Sequence, residues 1–303
     1  MASRIVSVFA ATGLQGSSVI NALLKDGTFT PRAITRDPES EAALKLKERG
    51  VEVVKGDSID KASLVSALRG SEAVFAVREF RLLLVEGKND EVVQGKNIVD
   101  AAKKVGVRFF IFSSLPSLAK ISGGKYTNCM NYEDKAVVEE YLKSSGLTHA
   151  SLHLGSFLEN YWKFGLLRKT ATGFDVPIPN YGPADRDGFT WVGRDVPAAV
   201  LALLKNYTDP SKNISGKSYP IINATISYAE LAAKTGKALG KEVTFTSSPP
   251  TGMTWFDEMF AAHAEYSGFY TATPVPNPDL VALGVKFGTI EEFMETEIKP
   301  RYA

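Results

Sequence analysis

A glycine-bearing turn near the start of the chain holds the first residues whose types and spacing can do chemistry. Val8-Phe-Ala-Ala-Thr-Gly13-Leu-Gln-Gly16 follows a β-branched run at Arg4–Phe9 and opens a helical pattern from about Leu14 to Lys25. A glycine at 13 lets the backbone approach a pyrophosphate, and one at 16 lets the helix pack against the strand. The helix amino terminus then offers unpaired N–H groups to the anion. Glycines at this spacing are common by chance, but their place inside a β-α-β unit of about thirty residues is what a dinucleotide fingerprint requires. The competing reading is a tight turn that binds nothing. Ala10, Thr12, Gly13, Leu14, Gln15 and Gly16 are the candidate contacts. Arg36 ends the second strand, twenty residues beyond Gly16. An acid at that tip reads the ribose 2′-hydroxyl of NAD, whereas a cation favours the 2′-phosphate of NADP. Arg36 therefore points to NADP(H), with the adjacent Asp37 as the rival reader and a plain solvated charge as the bland alternative. Asp57 and Ser58, after the third strand, fall beside the adenine or serve as a helix cap.

The elements that must position these residues alternate regularly through the first half. Strands are expected at Arg4–Phe9, Pro31–Thr35, Val51–Lys55, Ala73–Val77, Arg108–Ser113 and His149–Leu154. Helical patterns separate them at Leu14–Lys25, Ser40–Arg49, Lys61–Leu68, Asp90–Val105 and Lys135–Ser144. This spacing predicts an α/β fold of β-α-β units with a parallel sheet and right-handed crossovers. After Gly155 the rhythm breaks. Residues 173–190 are rich in Gly, Pro, Asn and Asp and are expected as loops or a lid. A helix at Val196–Lys205 is expected to return to the sheet. Short strands from Lys217 onward and helices at Tyr228–Leu239, Thr254–Glu265 and Thr289–Ile298 complete a smaller, partly discontinuous carboxyl-terminal α+β region. The expected division is a nucleotide-binding domain at 1–155, with 188–215 packing back onto it, and a substrate- or partner-binding region at 156–187 and 216–303.

Composition narrows the function classes. The chain has 303 residues, 44% hydrophobic and 23% charged, with 35 Lys plus Arg against 34 Asp plus Glu and a net charge of +1. This is ordinary globular composition. No long-range field is present to hold nucleic acid or an anionic membrane. No apolar run is long enough to span a bilayer, and the amino-terminal apolar stretch lacks a clear signal cleavage site. The expected location is the cytoplasm, with the nucleus as an alternative. A single cysteine, Cys129, forms no internal disulfide, and three histidines leave a zinc site short of ligands. Ser215-Gly-Lys-Ser218 resembles the tail of a phosphate-binding loop, but Ser211 replaces its first glycine. His149 and His153 share one face of a strand and are read as polar partners in the sheet.

Ala10-Ala-Thr-Gly-Leu-Gln-Gly16, Ile34-Thr-Arg-Asp-Pro38, Lys55-Gly-Asp57, Gln94-Gly-Lys-Asn97, Ile111-Phe-Ser-Ser114, Asp134-Lys-Ala136 with Val138-Glu139, and Phe157-Leu-Glu-Asn160 occur in this order. Together they resemble the NmrA-like family, a branch of the atypical short-chain dehydrogenase/reductases, over nearly the whole chain. The resemblance implies a Rossmann-type fold with a doubly wound parallel sheet, NADP(H) binding and a carboxyl-terminal substrate or partner region. It also implies relatives of two kinds: redox-sensing regulators, and reductases of the isoflavone and phenylcoumaran type. Two departures stand out. The family's first fingerprint glycine is Ala10 here, tolerable only if that residue keeps a negative φ. The usual tyrosine acid four residues before the lysine is Asn131.

Lys135, which the resemblance sets beside the nicotinamide ribose, is then the leading catalytic candidate, either as proton donor or as a clamp on the cofactor. Ser113 and Ser114 end the fifth strand, where a serine polarises a substrate carbonyl or simply ends a strand. Tyr126 is the alternative acid. Ala76 and Val77 are expected near the pyrophosphate and ribose, and Arg78 stands where relatives carry a small polar residue. Phe157, Leu158, Glu159 and Asn160 border the nicotinamide by resemblance. Phe80, Tyr161, Trp162, Phe164, Trp191, Trp255, Phe256, Phe269 and Tyr270 are candidates for an aromatic pocket. No metal is implied. The expectation is an NADPH-dependent reductase of a small aromatic or conjugated carbonyl or enone. Its alternative is a non-catalytic NADP(H) sensor read by a protein partner, and in either case the chain is a monomer or homodimer.

Overall fold

The computed structural model describes residues 4–77 and 91–303, so Arg78 and Phe80 lie outside the described residues. In chain order the elements through the first half are β1 (Ile5–Val8), α1 (Leu14–Asp26), β2 (Thr30–Thr35), α2 (Glu41–Glu48), β3 (Glu52–Lys55), α3 (Lys61–Leu68), β4 (Ser71–Ala76), α4 (Glu91–Val105), β5 (Phe109–Ser114), α5 (Leu118–Ile121), α6 (Met130–Ser144) and β6 (His149–Leu154). The remainder comprises β7 (Ser156–Phe157), α7 (Asn160–Lys163), β8 (Arg168–Lys169), β9 (Gly173–Pro179), β10 (Arg186–Thr190), α8 (Val192–Asn206), β11 (Lys217–Ile221), β12 (Ala224–Ser227), α9 (Tyr228–Leu239), β13 (Glu242–Ser248), α10 (Thr254–Glu265), α11 (Pro278–Ala282), α12 (Ile290–Phe293), a π-helical turn at Met294–Ile298 and α13 (Lys299–Tyr302).

The chain divides into two compact units. The first comprises Met1–Pro116, Asn131–His153 and Val196–Tyr219, and the second Ser117–Met130, Leu154–Asp195 and Pro220–Ala303. The first unit is built on a sheet with strand order β11-β6-β5-β4-β1-β2-β3, seven strands among the described residues. Pairing from β3 through to β6 is parallel. Such strands are covered on both faces and read as apolar runs, and every residue of β5 is buried. One helical layer closes a core of Leu64, Leu68, Ile98, Val99, Phe110, Phe112, Val138 and Leu142. Here α4 and α6 approach so closely that a Cβ on Gly95 would stand 2.5 Å from Val138 Cγ2. The strand order reverses at β1, between β2 on one side and β4 on the other, and in open α/β sheets ligands bind at the carboxyl ends of the strands at such a point.

The second unit has two small sheets, β12-β10-β7 and β13-β9-β8. Residues 173–190 are not the loop or lid that their Gly, Pro and Asp content suggests. They form β9 and β10, with a turn at 180–185 between them. Phe174, Val176 and Ile178 alternate inward from β9, and this period-2 burial outweighs Pro177 and Pro179. A second correction concerns Lys217–Ile221, expected in the carboxyl-terminal region but observed as the edge strand of the large sheet. Its partner, β6, lies far back in sequence, so no local signal marks the pairing. Among the expected pocket aromatics, Tyr161, Trp191 and Tyr270 are buried, and Tyr161 and Trp191 pack among Phe174, Tyr181, Phe189, Tyr228, Phe260 and Phe293, with Trp162 and Phe256 partly buried against the same cluster; Phe164 is exposed.

Two buried carboxylates organise this unit with opposite electrostatic consequences. Asp187 on β10 accepts from Ser156 (2.7 Å), Tyr181 (2.9 Å), Tyr228 (3.3 Å), the Gly188 N–H (2.7 Å) and the His263 ring (3.0 Å). Burial alone would raise its pKa, but His263 and the hydroxyl donors pull it below the usual carboxylate range. Asp195 in the first turn of α8 is fully buried; its Oδ1 accepts from the Gly288 N–H at 2.8 Å, and its Oδ2 has no hydrogen-bond partner among the described residues. Burial pushes its carboxyl up to about 7. A carboxyl raised in the folded state makes folding progressively less favourable as pH climbs from its ordinary value of about 3.9 toward the raised one. Asp195→Asn should therefore gain stability over the wild type between pH 4 and pH 8, reaching on the order of 4 kcal/mol. Urea denaturation across that range checks this, and a pH-independent difference contradicts it.

Candidate dinucleotide and proton-transfer site

At the end of β1 the Phe9 N–H donates to Phe75 O (3.0 Å), and a turn closes with the Gly13 N–H on Ala10 O at 2.9 Å. Gly13 is the N-cap of α1, with extended backbone (φ −81°, ψ 173°). It supplies no side-chain cap, and no acidic residue occupies the first turn. The first N–H groups of a helix have no intrahelical partner and carry the positive end of its dipole. No side chain of the cap claims these. A Cβ on Gly16 would stand 2.2 Å from Ala10 O, so only glycine permits this approach of helix to turn. The Gln15 Oε1 is buried beside the same turn with no hydrogen-bond partner among the described residues. The cradle fits a dinucleotide phosphate.

Ala10 differs from expectation, since its φ is +46° rather than negative. The turn from strand to helix takes the left-handed region here, which glycine enters freely and alanine at a steric cost of about 1–2 kcal/mol.

At the tip of β2, Arg36 is exposed and has no partner among the described residues. Asp37 is engaged in its own turn: its Oδ1 accepts from the Glu39 N–H (3.0 Å) and its carbonyl from the Ser40 hydroxyl (2.9 Å). The free cation and the occupied carboxylate favour recognition of a phosphate over a ribose hydroxyl. Asp57 is likewise a turn residue, accepting from the Ile59 N–H at 3.0 Å. Ser58 donates to Gln94 Oε1 (2.7 Å), and Asn97 Nδ2 donates to Ser58 O (2.9 Å). The Gln94-Gly-Lys-Asn97 segment thus ties the loop after β3 to α4. Ala76 and Val77 are buried at the end of β4.

Lys135 and Asn131 lie one turn apart on α6. Lys135 Nζ is 2.6 Å from Glu91 Oε1 on α4 and 3.4 Å from Asn131 O. The Lys135 and Glu91 side chains are only 9% and 8% exposed. Asn131 Oδ1 is buried and has no hydrogen-bond partner among the described residues. The two serines diverge, as neighbours on a strand do. Ser114 donates at 3.3 Å to Lys135 O, while Ser113 is buried and makes no side-chain hydrogen bond among the described residues. Behind Ser114, the buried Glu139 accepts from Ser218 and pairs with His153 Nε2 at 2.7 Å and Lys143 at 3.3 Å. Burial opposes its ionisation, but His153 and the hydroxyls hold the carboxyl far below its usual range. His153 and Ser218 therefore serve Glu139. His149 Nδ1 meets Leu147 O at 2.8 Å.

Tyr126 belongs to the second unit, where its hydroxyl donates to Glu265 at 2.6 Å. Burial and this carboxylate raise its pKa, which weakens it as an acid. Of Phe157–Asn160, in the same unit, Leu158 is a core residue. Glu159 receives the Val192 and Gly193 N–H groups (3.2 and 2.8 Å) at the start of α8. Glu91 has no counterpart among the sequence candidates. It lies 44 positions from Lys135, and no periodicity connects the two.

The sequence profile of the NmrA-like family matches residues 2–294. An NmrA-like family domain-containing oxidoreductase of Malbranchea aurantiaca is 28% identical, over 96% of this chain and 95% of its own. An NmrA-like family domain-containing protein of Dictyostelium discoideum is 27% identical, over 88% and 89%. Among solved structures, NmrA, a negative transcriptional regulator in complex with NADP, superposes with a TM-score of 0.79 at 19% identity, covering 100% of this chain and 97% of that one. The NADPH-dependent quinone oxidoreductase QOR2 of Escherichia coli, complexed with NADPH, gives 0.71 at 21% identity, covering 95% and 98%. The shared architecture is a Rossmann-type one.

The strain at residue 10 has a direct test. Ala10→Gly should raise stability by roughly 0.5 kcal/mol, the relief at positive φ exceeding the added freedom of the unfolded chain. Ala10→Val should lower it by more than about 1 kcal/mol, because a β-branched residue tolerates this region poorly. Denaturant midpoints would show a reversed order if Ala10 were unstrained.

Proposed function

Since the chain belongs to the NmrA-like family, we propose that it binds NADP(H) and transfers hydride from it to a small aromatic or conjugated carbonyl or enone. The observation that carries this reading is the uncapped amino terminus of α1 together with Arg36 at the tip of β2, exposed and without a partner among the described residues. Ala10, Thr12, Gly13, Leu14, Gln15 and Gly16 form the pyrophosphate cradle. Arg36 takes the 2′-phosphate, the loop at Asp57 and Ser58 borders the adenine, and Ala76 and Val77 flank the diphosphate, with Arg78 next in the chain. Bound NADPH supplies the hydride. Lys135 holds the ribose hydroxyls, and Ser113, whose hydroxyl is uncommitted, polarises the acceptor carbonyl. Holding acceptor and cofactor at contact distance supplies much of the rate. For Phe157–Asn160 the proposal rests on family resemblance, and Leu158 and Glu159 bring no free side chain to it.

Proton supply is the weak point of this chemistry. Asn131 replaces the usual tyrosine, and Lys135 and Tyr126 each face a carboxylate. An acceptor whose reduced form is a stabilised anion suits such a site, since water can then deliver the proton. The same shortage supports a second reading, a non-catalytic NADP(H) sensor acting through a protein partner, and one structural neighbour is a transcriptional regulator.

Arg36→Ala should weaken NADPH binding roughly tenfold or more, the scale of a lost charge-assisted contact, and leave NADH binding unchanged. Fluorescence titration with both cofactors checks it, and an unaltered ratio refutes the assignment. NADPH oxidation across aromatic aldehydes, quinones and enones separates the two readings. Turnover that falls with Lys135→Ala establishes the reductase, and silence with tight NADPH binding favours the sensor.

A further inference from the structure

We propose that Glu91 sets the preference of this protein between reduced and oxidised cofactor, by cancelling the charge of Lys135. The inference rests on the NADP(H) reading above and goes beyond it, since that reading gives Glu91 no role. The observation is the ion pair itself: Lys135 Nζ and Glu91 Oε1 are 2.6 Å apart, with both side chains almost wholly removed from solvent. Glu139, one turn further along α6, is committed to His153, Ser218 and Lys143. Glu91 is thus the one carboxylate paired with Lys135 among the described residues.

The physical consequence follows from the charge of the ligand. NADPH carries a neutral dihydronicotinamide ring, and loss of hydride leaves the ring with one positive charge. A bare ammonium beside the nicotinamide ribose would repel the oxidised ring and leave the reduced one unaffected. An ammonium held against a carboxylate presents almost no net charge, so the pair tolerates both states. Little water screens the interaction, so a change of one unit charge at this point is felt strongly. Glu91 is on this account a positioning residue: it fixes the Lys135 ammonium in place and sets the field the ring experiences.

Three variants test this by the ratio of dissociation constants for NADP+ and NADPH, measured by calorimetric titration and requiring no turnover. Glu91→Gln keeps the size and an acceptor oxygen but leaves the ammonium bare. It should shift the ratio toward NADPH by roughly tenfold, the scale for a unit charge acting through an effective dielectric of about 20. Lys135→Met removes the ammonium and with it this counter-charge to the carboxylate, and should shift the ratio the other way, toward NADP+. Because the two shifts have opposite signs, either variant tests the inference should the other fail to fold. The double variant, with neither charge, should return the ratio close to that of the wild type even where overall affinity has fallen. A purely structural pair would weaken both cofactors together, and equal losses or shifts of the same sign overturn the proposal. If the wild type binds neither cofactor, the nicotinamide reading falls and this one with it. Binding of both with unchanged ratios in the variants defeats the Glu91 role alone.

Discussion

The candidate site depends on one steric constraint, the contact between the first turn of α1 and the carbonyl of residue 10. No side chain at position 16 fits there. The helix consequently starts close against the turn at the end of β1, at the carboxyl edge of the sheet. Every other site element is placed relative to that edge by the parallel register: the Arg36 tip through β2, the Asp57 loop through β3, Ala76 through β4 and the serine pair through β5. Parallel pairing brings the carboxyl ends of non-consecutive strands side by side, so residues distant in sequence converge without any local motif to announce it. The strained alanine at residue 10 belongs to the same contact, since the carbonyl that Gly16 accommodates is its own.

Much of this was legible in the sequence because it depends on local patterns. The strand-and-helix rhythm of the first half, the glycine spacing and the Arg36 offset all follow from periodicity and turn chemistry, and Tyr228–Leu239 and Thr254–Glu265 are helices at the bounds their pattern predicts. Readings failed where a nonlocal partner decides the outcome. Residues 173–179 carry breakers, yet pairing with β13 and β8 on either side makes a strand of them. Lys217–Ile221 looks like any short strand, and only its neighbour β6 assigns it to the large sheet. The Lys135–Glu91 pair is the clearest case in the site, because a buried ion pair between two helices leaves no trace in either helix's own sequence. The backbone angle of Ala10 was likewise beyond composition, being set by the turn that follows.

The charge arrangement frames the choice between catalysis and sensing. An enzyme that protonates a simple alkoxide needs a group ready to release a proton, and the groups nearest that task are committed to carboxylates or replaced by an amide. A binding protein needs only to hold the cofactor, and a neutral Lys–Glu pair suits that well. A reductase of conjugated acceptors lies between the two, since delocalisation in the product takes over part of the work of the missing acid.

The path of the chain has a consequence for biosynthesis. The polypeptide passes between the two units five times, at 116/117, 130/131, 153/154, 195/196 and 219/220. Neither unit is therefore a contiguous stretch that a ribosome could release and leave to fold. The sheet of the first unit lacks its edge strand β11 until synthesis has gone past residue 221. Until then the flank of β6 is an open edge of the kind that recruits foreign strands. The nascent chain thus spends most of its elongation with an incomplete sheet, and is exposed to aggregation for longer than a protein of the same length built from two consecutive domains.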